Sequence, residues 1–282
     1  MEGTTVVIAT RDRVADLTRT LERLAGLEVP IVVVDNGSSD DTARRAARFP
    51  NVRVLPLGRN FGAIARNHGV QAARTPYVAF CDDDSWWSPD ALHHAEKLFE
   101  AHPRLGLIAA RTVIEPDGRE DPICSEMASS PLGRAHDLPG PSVFGFLCCA
   151  AVVRRRAFLD VGGFHPLLFF RGEERLFSWD LAAAGWACAY VDSVTAHHQP
   201  SPSRASPAAG RTRELRNDLL TTWLRRPPGV ALRATLALGR QALTTPPARR
   251  AFAEALHRLP AALRDRRRLP PPVEREVARM SQ

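Results

Sequence analysis

The chain has 282 residues, 44% of them apolar and 24% charged, enough for one large α/β domain or two smaller ones with a sizeable core. No run reaches the roughly 18 uninterrupted apolar residues of a membrane span, and the start of the chain lacks the basic and apolar regions of a signal peptide. The net charge of +7 is uneven: from Ser201 onward 17 Arg stand against 6 acidic residues, a net +11, which leaves −4 for residues 1–200. An acidic body is followed by a basic tail.

Thr4 to Ala9 alternates too little for a half-exposed strand and reads as a buried parallel one. Thr10-Arg-Asp-Arg13 turns the chain, and Val14, Leu17, Leu21 and Leu24 recur at helical spacing. Ile31 to Val34 is a second buried strand, ended by Asp35-Asn-Gly-Ser-Ser-Asp-Asp-Thr42, which supplies a turn and then a helix cap. Val52 to Leu55 is a third strand. After Asn60-Phe-Gly62 a helix carries Ala63, Arg66, Asn67 and Val70, and Tyr77 to Phe80 is the next strand. Four alternations of strand and helix over about 80 residues, with short links, indicate a doubly wound, mostly parallel sheet flanked by helices.

The fourth strand runs into Asp82, Asp83 and Asp84. Three adjacent carboxylates at the carboxyl edge of an open α/β sheet lie where such sheets bind ligands. Like charges this close need something positive among them, most simply a hard divalent cation. An acidic turn capping the helix after Pro89 is the plainer alternative.

Beyond this point Pro89 opens a helix to about Ala101, and Leu105 to Val113 is further strand. Glu115 to Pro141, rich in Pro, Gly and Ser, reads as a long loop. Val143 to Val153 is a second apolar block, followed by Gly162-Gly163-Phe164. Arg171-Gly-Glu173-Glu174 leads into a helix to about Ala184, and Trp186 to Val191 is one more strand, with His197-His198 at its end. Residues 200–210 form a Pro/Ser linker, and the rest is Arg- and Ala-rich helix interrupted at Pro227-Pro228, Pro246-Pro247 and Pro270 to Pro272. Cys81, Cys124, Cys148, Cys149 and Cys188 are odd in number and lack metal-type spacing, the pattern of a reduced, cytoplasmic protein.

The sequence has no G-x-G-x-x-G, G-x-x-x-x-G-K-[ST], G-x-S-x-G or H-E-x-x-H, which removes the commonest signals of dinucleotide oxidoreductases, P-loop enzymes, serine hydrolases and zinc proteases. The succession Val-Val-Ile-Ala-Thr-Arg-Asp-Arg, Val-Asp-Asn-Gly-Ser-Ser-Asp-Asp-Thr, Asn-Phe-Gly-Ala-Ile-Ala-Arg-Asn-His-Gly, Phe-Cys-Asp-Asp-Asp, Gly-Gly-Phe and Gly-Glu-Glu resembles glycosyltransferase family 2, of GT-A fold, over about residues 4–200.

That resemblance implies a metal-dependent, inverting transfer of a sugar from a UDP- or dTDP-sugar to an acceptor hydroxyl. Residues 1–200 would be the GT-A catalytic domain, with a nucleotide-sugar-binding half over 1–113 and an acceptor-side half over 114–200. Residues 201–282 would be a helical, Arg-rich extension. Thr10 and the pair Asp35-Asn36 would border the pyrimidine, although the same pair also suits an Asx-turn. Arg66 would reach the base or the diphosphate. Asp82 and Asp83 would lie by the ribose, and Asp84 of the DXD motif would hold Mn²⁺ or Mg²⁺ with Asp82 and His197. Glu174 takes the position of the family's base and Glu173 the acidic position before it. Relatives often carry Asp two positions later and Arg further on, where this chain has Leu176 and Asp180.

The basic tail matches no family pattern. Leu232, Leu236, Leu238 and Leu243 with Arg233 and Arg240 could lie on anionic lipid at the inner face of a membrane, near a lipid-linked acceptor; packing over the catalytic domain and a partner-binding face are the competing readings. Nucleic acid is disfavoured, since the arginines lack interleaved aromatics. A nucleotidyltransferase, or a sugar-nucleotide-binding protein without turnover, are the functional alternatives.

Overall fold

The computed structural model describes residues 3–201 and 207–280, so part of the expected linker, 202–206, lies outside the described residues, and its last residues, 207–210, are helical instead. The elements β1 (Thr4–Thr10), α1 (Val14–Leu24), β2 (Ile31–Asp35), α2 (Thr42–Ala46), β3 (Val52–Pro56), α3 (Ala65–Ala72) and β4 (Tyr77–Cys81) follow the expected alternation. The strands lie in the order β3-β2-β1-β4, all parallel. The chain runs outward from β1 to β2 and β3, then returns to the other flank of β1 for β4. The direction of winding therefore reverses between β1 and β4, and their carboxyl ends open a crevice.

The second half continues the sheet with β5 (Ser85–Trp87), α4 (Ala91–Ala101), β6 (Leu105–Ile114), β7 (Arg119–Glu120), α5 (Pro122–Ala128), β8 (Ala151–Arg154), α6 (Arg155–Asp160), α7 (Glu173–Ala183) and β9 (Ala187–His198). Beyond β4 come β8, β6, β9 and β5 in that order. The pairing turns antiparallel at β8, becomes parallel again between β6 and β9, and ends on antiparallel β5.

Two expectations need correction here. The apolar block 143–153 contributes only Ala151, Val152 and Val153 to β8; Val143, Phe144, Phe146, Cys148 and Cys149 are buried in loop and 3₁₀ turn instead, since burial and strand formation leave the same apolar trace. The loop after Glu115 also holds β7 and α5, the latter capped by Asp121, whose Oδ1 accepts from Ile123 N at 3.1 Å.

Successive side chains of a strand point to opposite faces, and both faces are covered. Val6, Ile8, Ile31, Val33 and Ala79 pack against Leu17 and Leu21 of α1 and Phe99 of α4, whereas Val7, Val32, Val34, Val78 and Phe80 meet Val70 of α3, Phe158 of α6 and Phe177 of α7. This two-sided burial is why the strands read as continuous apolar runs. Gly163, with φ +73, explains the Gly-Gly-Phe motif: a Cβ there would fall 2.5 Å from the Phe158 ring, and the turn lets Asn67 hold both the N–H and the C=O of Phe164.

The basic tail forms α8 (Pro207–Arg225), α9 (Pro228–Ala242), α10 (Pro246–Arg264) and α11 (Pro271–Met280). The prolines open these helices as well as separating them, because a fixed φ and a missing N–H cost nothing in a first turn. Leu219, Leu220 and Leu224 of α8, Leu238 of α9 and Ala248, Ala255 and Ala262 of α10 share a core with Leu168 and with Leu176 of α7. Val273 and Val277 of α11 pack with Phe144 and Trp179. The extension is thus joined to the sheet through α7. Its two departures from the family pattern lie on this seam: Leu176 enters the shared core, and Asp180 is gripped by buried Arg225 of α8 through bonds of 2.5 and 2.9 Å.

Candidate active site

Thr10 ends β1, Asp35 ends β2 and Asp82 follows β4, so parallel register alone gathers them at the crevice. The three aspartates are then handed to different partners. Asp82 accepts from Arg66 Nη2 at 2.6 Å. Asp83 accepts from Thr10 Oγ1 at 2.7 Å and from Arg13 Nε at 3.2 Å. Asp84 accepts from the Ser201 N–H at 3.0 Å and lies 3.4 Å from His198 Nε2 and 3.6 Å from Arg13 Nη2. Arg66 and Arg13 therefore supply positive charge that the crowded carboxylates require, with or without an ion.

Burial pushes the Asp83 carboxyl up to about 6, against the pull of Thr10 and Arg13. Burial acts on Asp84 in the same sense, but His198 and the Ser201 amide outweigh it and hold the group below the usual carboxylate range. Asp84 is thus the more firmly ionised of the two.

Asp82 is the most open of the three, about a third exposed. Carboxylate oxygens of Asp82 and ionised Asp84 are the donor chemistry of a hard divalent cation. Among the described residues no three acidic, His or Cys side chains already converge into a metal cage.

His197 requires a correction. The pleat of β9 sends adjacent side chains to opposite faces, and β5 pairs Ser85 with His198 and Trp86 with His197. His197 stacks on Trp86 with ring centroids 5.3 Å apart and bonds to Ser88 Oγ at 2.8 Å and Glu115 Oε1 at 2.9 Å. His198 is the one that faces Asp84.

Arg66 is buried on α3, not on a solvated helix face, and its Nε has no hydrogen-bond partner among the described residues. Asn36 spends its amide on the neighbouring loop: Nδ2 donates to Asn60 Oδ1 at 3.1 Å and Gly62 O at 3.2 Å, and Oδ1 accepts from Phe61 N at 2.7 Å. Asp35 holds the turn that follows, its Oδ1 accepting from Ser38 N, three residues on, at 3.1 Å. Gly62, with φ +63, sits where a Cβ would be 2.1 Å from Phe169 O, so this loop and the one before α7 touch through backbone.

Two cavities adjoin here. One of about 420 Å³ is lined by the three aspartates, His198, Arg66 and Arg171, among others. One of about 290 Å³ is bordered by Thr10, Asn36, Asn60, Gly62 and Asp83, among others. Glu173 and Glu174 begin α7 and line neither. Glu173 is buried with Oε2 unpartnered; burial, then the charge of Glu174, raises its carboxyl to about 8. Glu174 is half-buried and also raised, chiefly by burial. Sequence reasoning missed Arg13, His198 and the Ser201 amide. Arg13 lay in plain view one turn after β1, but only the pleat singles out His198.

With this arrangement of the crevice in place, likeness to known proteins becomes informative. The sequence model described as Glycosyl transferase family 2 matches residues 5–162. The chain belongs to glycosyltransferase family 2. Family members similar to it include the N-acetylglucosaminyl-diphospho-decaprenol L-rhamnosyltransferase of Mycobacterium tuberculosis, 28% identical over 256 residues, 74% of this chain and 81% of the relative. The pre-mycofactocin glycosyltransferase of the same organism is 34% identical over 209 residues, 69% of this chain and 42% of the relative.

Among solved structures, the Pyrobaculum calidifontis mannosyltransferase PcManGT in complex with GDP-Man and Mn²⁺ aligns with TM-score 0.62 at 19% identity, covering 99% of this chain and 79% of that one. Staphylococcus aureus TarS 1-349 in complex with UDP-GlcNAc aligns with TM-score 0.61 at 15% identity, covering 93% and 90%. These likenesses establish the GT-A fold of this family 2 chain.

Proposed function

We propose that this family 2 protein transfers a sugar from a UDP- or dTDP-sugar to an acceptor hydroxyl with inversion, in a divalent-cation-dependent reaction. The observation that carries the reading is the Asp82-Asp83-Asp84 run beside Arg66 at the reversal point of the sheet, opening on a cavity. Residues 1–200 are the catalytic unit, 1–113 serving the nucleotide sugar and 114–200 the acceptor, and residues 201–282 are the extension. Thr10, Asp35 and Asn36 border the base, Asn36 by holding residues 60–62 in place; Asp82 and Asp83 lie on the ribose and diphosphate side.

Asp82 and Asp84, with His198 beside them, would hold Mn²⁺ or Mg²⁺, which when bound supplies positive charge to the donor's phosphates. Arg66 stabilises negative charge on the departing diphosphate. Glu174 takes the proton of the acceptor hydroxyl as its oxygen bonds to the anomeric carbon. The bond from that carbon to the phosphate oxygen breaks, and its electron pair leaves with the diphosphate. A raised pKa makes Glu174 a stronger base than an ordinary glutamate while the helix N-terminus favours its ionised form. Glu173, buried and pushed to about 8, is protonated at neutral pH and orients rather than accepts.

The acceptor is a free hydroxyl on a small molecule or on a lipid-linked sugar, the latter suggested by the name of the mycobacterial rhamnosyltransferase. A lipid-linked acceptor suits a protein working at the cytoplasmic face of a membrane. Leu232 and Leu236 of α9 and Leu243 just past its end, all exposed beside Arg233 and Arg240, are the surface for that contact. A thermal-shift screen of UDP, dTDP and their sugar nucleotides with and without Mn²⁺ tests the reading, because a ligand at 100 times its dissociation constant adds about 2.7 kcal/mol. No Mn²⁺-dependent shift with any of them would reject it.

A further inference from the structure

Arg66 and Arg213 line both of the adjoining cavities, and so stand at their junction, between the side of Thr10 and Asn36 and the side of the three aspartates. The other arginines that line this space are committed: Arg66 to Asp82, Arg171 to Glu214 and Arg11 to Asp12. Arg213, half-buried on α8, is different. Among the described residues it has neither a hydrogen-bond nor an ion-pair partner.

The helix that carries it is firmly seated. Asn217, one turn further along the same face and fully buried, donates to the carbonyls of Leu168 at 2.9 Å, Phe170 at 3.0 Å and Arg171 at 2.5 Å. Buried Arg216 also donates to Leu168 O at 3.1 Å and to Glu254 at 2.7 Å. The loop so held places Phe170 on the wall of both cavities. A cation on an anchored helix, facing a cavity and lacking a counter-charge, is prepared for an anion that the protein does not itself supply. A guanidinium offers two parallel N–H bonds to such an anion, the geometry of phosphate recognition.

We propose that Arg213 binds the diphosphate of the donor together with Arg66, so that the C-terminal extension contributes a binding residue to the active site. The inference rests on the glycosyltransferase reading given above. It assigns the extension a direct part in holding the donor and its leaving group, beyond packing.

Calorimetry with UDP and dTDP, set against ligand-detected NMR with uridine and thymidine, all in Mn²⁺, separates the two claims. Arg213→Gln should weaken the nucleoside diphosphates roughly 10- to 100-fold, the scale of a charge-assisted hydrogen bond, and leave the nucleosides unchanged. Arg213→Lys should recover part of the loss, since a point charge is kept and the fork is not. Arg211→Gln, which alters an arginine 56% exposed on the same helix, should bind as the wild type. If Arg213→Gln binds the diphosphates normally while the wild type still prefers them to nucleosides, the role of Arg213 is wrong and the functional reading stands. If the wild type shows no such preference, the functional reading fails and takes this proposal with it.

Discussion

The crevice at the ends of β1, β2 and β4 and the seam between α7 and α8 are built by opposite means. At the crevice, polar side chains that are close in sequence, Asp82 to Asp84, are pulled apart onto separate partners. At the seam, residues distant in sequence are brought together: Asp180 meets Arg225, Leu176 meets Leu220 and Leu224, and Asn217 meets 168–171. A site assembled from short motifs can be recognised without knowing the fold. A site assembled across 40 residues or more of chain cannot, and in this protein the second kind holds up the loop on which the first depends.

The largest expected effect tests whether chemistry resides on the α7 side of that comparison. Glu174→Gln keeps shape but cannot accept a proton, so transfer should fall roughly 10²- to 10⁴-fold with donor affinity unchanged, about 3 to 5 kcal/mol in barrier. Single-turnover assays alongside calorimetry read both quantities; a near-normal rate would move the base elsewhere. The seam itself is broken by Asp180→Asn, which strands buried Arg225 and should cost about 3 kcal/mol of unfolding free energy. Denaturant titration measures this, and a loss below about 1 kcal/mol would make α8 peripheral to stability.

On the crevice side, Asp84→Asn should abolish the Mn²⁺ dependence of UDP or dTDP binding while leaving the fold intact, because it relieves crowding as well as removing a ligand. Unchanged Mn²⁺ dependence in calorimetry would overturn the metal assignment. Glu173 adds a pH test. Its folded pKa of about 8 lies above the 4.5 of an ordinary glutamate, so the native state holds an extra proton between those values and stability falls as pH rises through that window. Glu173→Gln should remove this slope, so its melting temperature should exceed that of the wild type more at pH 8 than at pH 5.

The smallest effect concerns α9. Sedimentation with anionic vesicles should be strong at low salt and fade as ionic strength rises. Changing Leu232, Leu236 and Leu243 to Ser should abolish it; deletion of α9 to α11 is the wrong tool, since it would lay bare the core they share with α8. Equal partitioning to neutral and anionic vesicles would remove the membrane from the picture.

Much of this was legible in the sequence. The apolar runs gave β1 to β4 with bounds close to those observed, because strands buried on both faces leave an unbroken signature, and a carboxylate run after such a strand must emerge at a sheet edge. The choice between His197 and His198 was not legible. It depends on the pleat of β9, which shifts register opposite Ala110 and Arg111 and carries the strand seven residues past the Val191 expected as its end. The chemistry of Asn36 hid in the same way, since an amide beside a turn serves a base or the turn equally well until the position of Phe61 is known. For Leu176 and Asp180, the sequence revealed a departure from the family but not its compensation, because Arg225 is 45 residues away and reaches Asp180 only through tertiary packing.

The Asn217 clamp also bears on how such enzymes can be recombined. One carboxamide holds three consecutive parts of the loop that leads into α7, and Asp180 and Leu176 have adapted to the same helix. A chimaera joined at the linker near residue 200, where a designer would naturally cut, inherits a catalytic half tailored to a missing companion. The unit that travels intact runs from Leu168 to the end of α11, and a recombination that keeps these contacts exchanges that whole block.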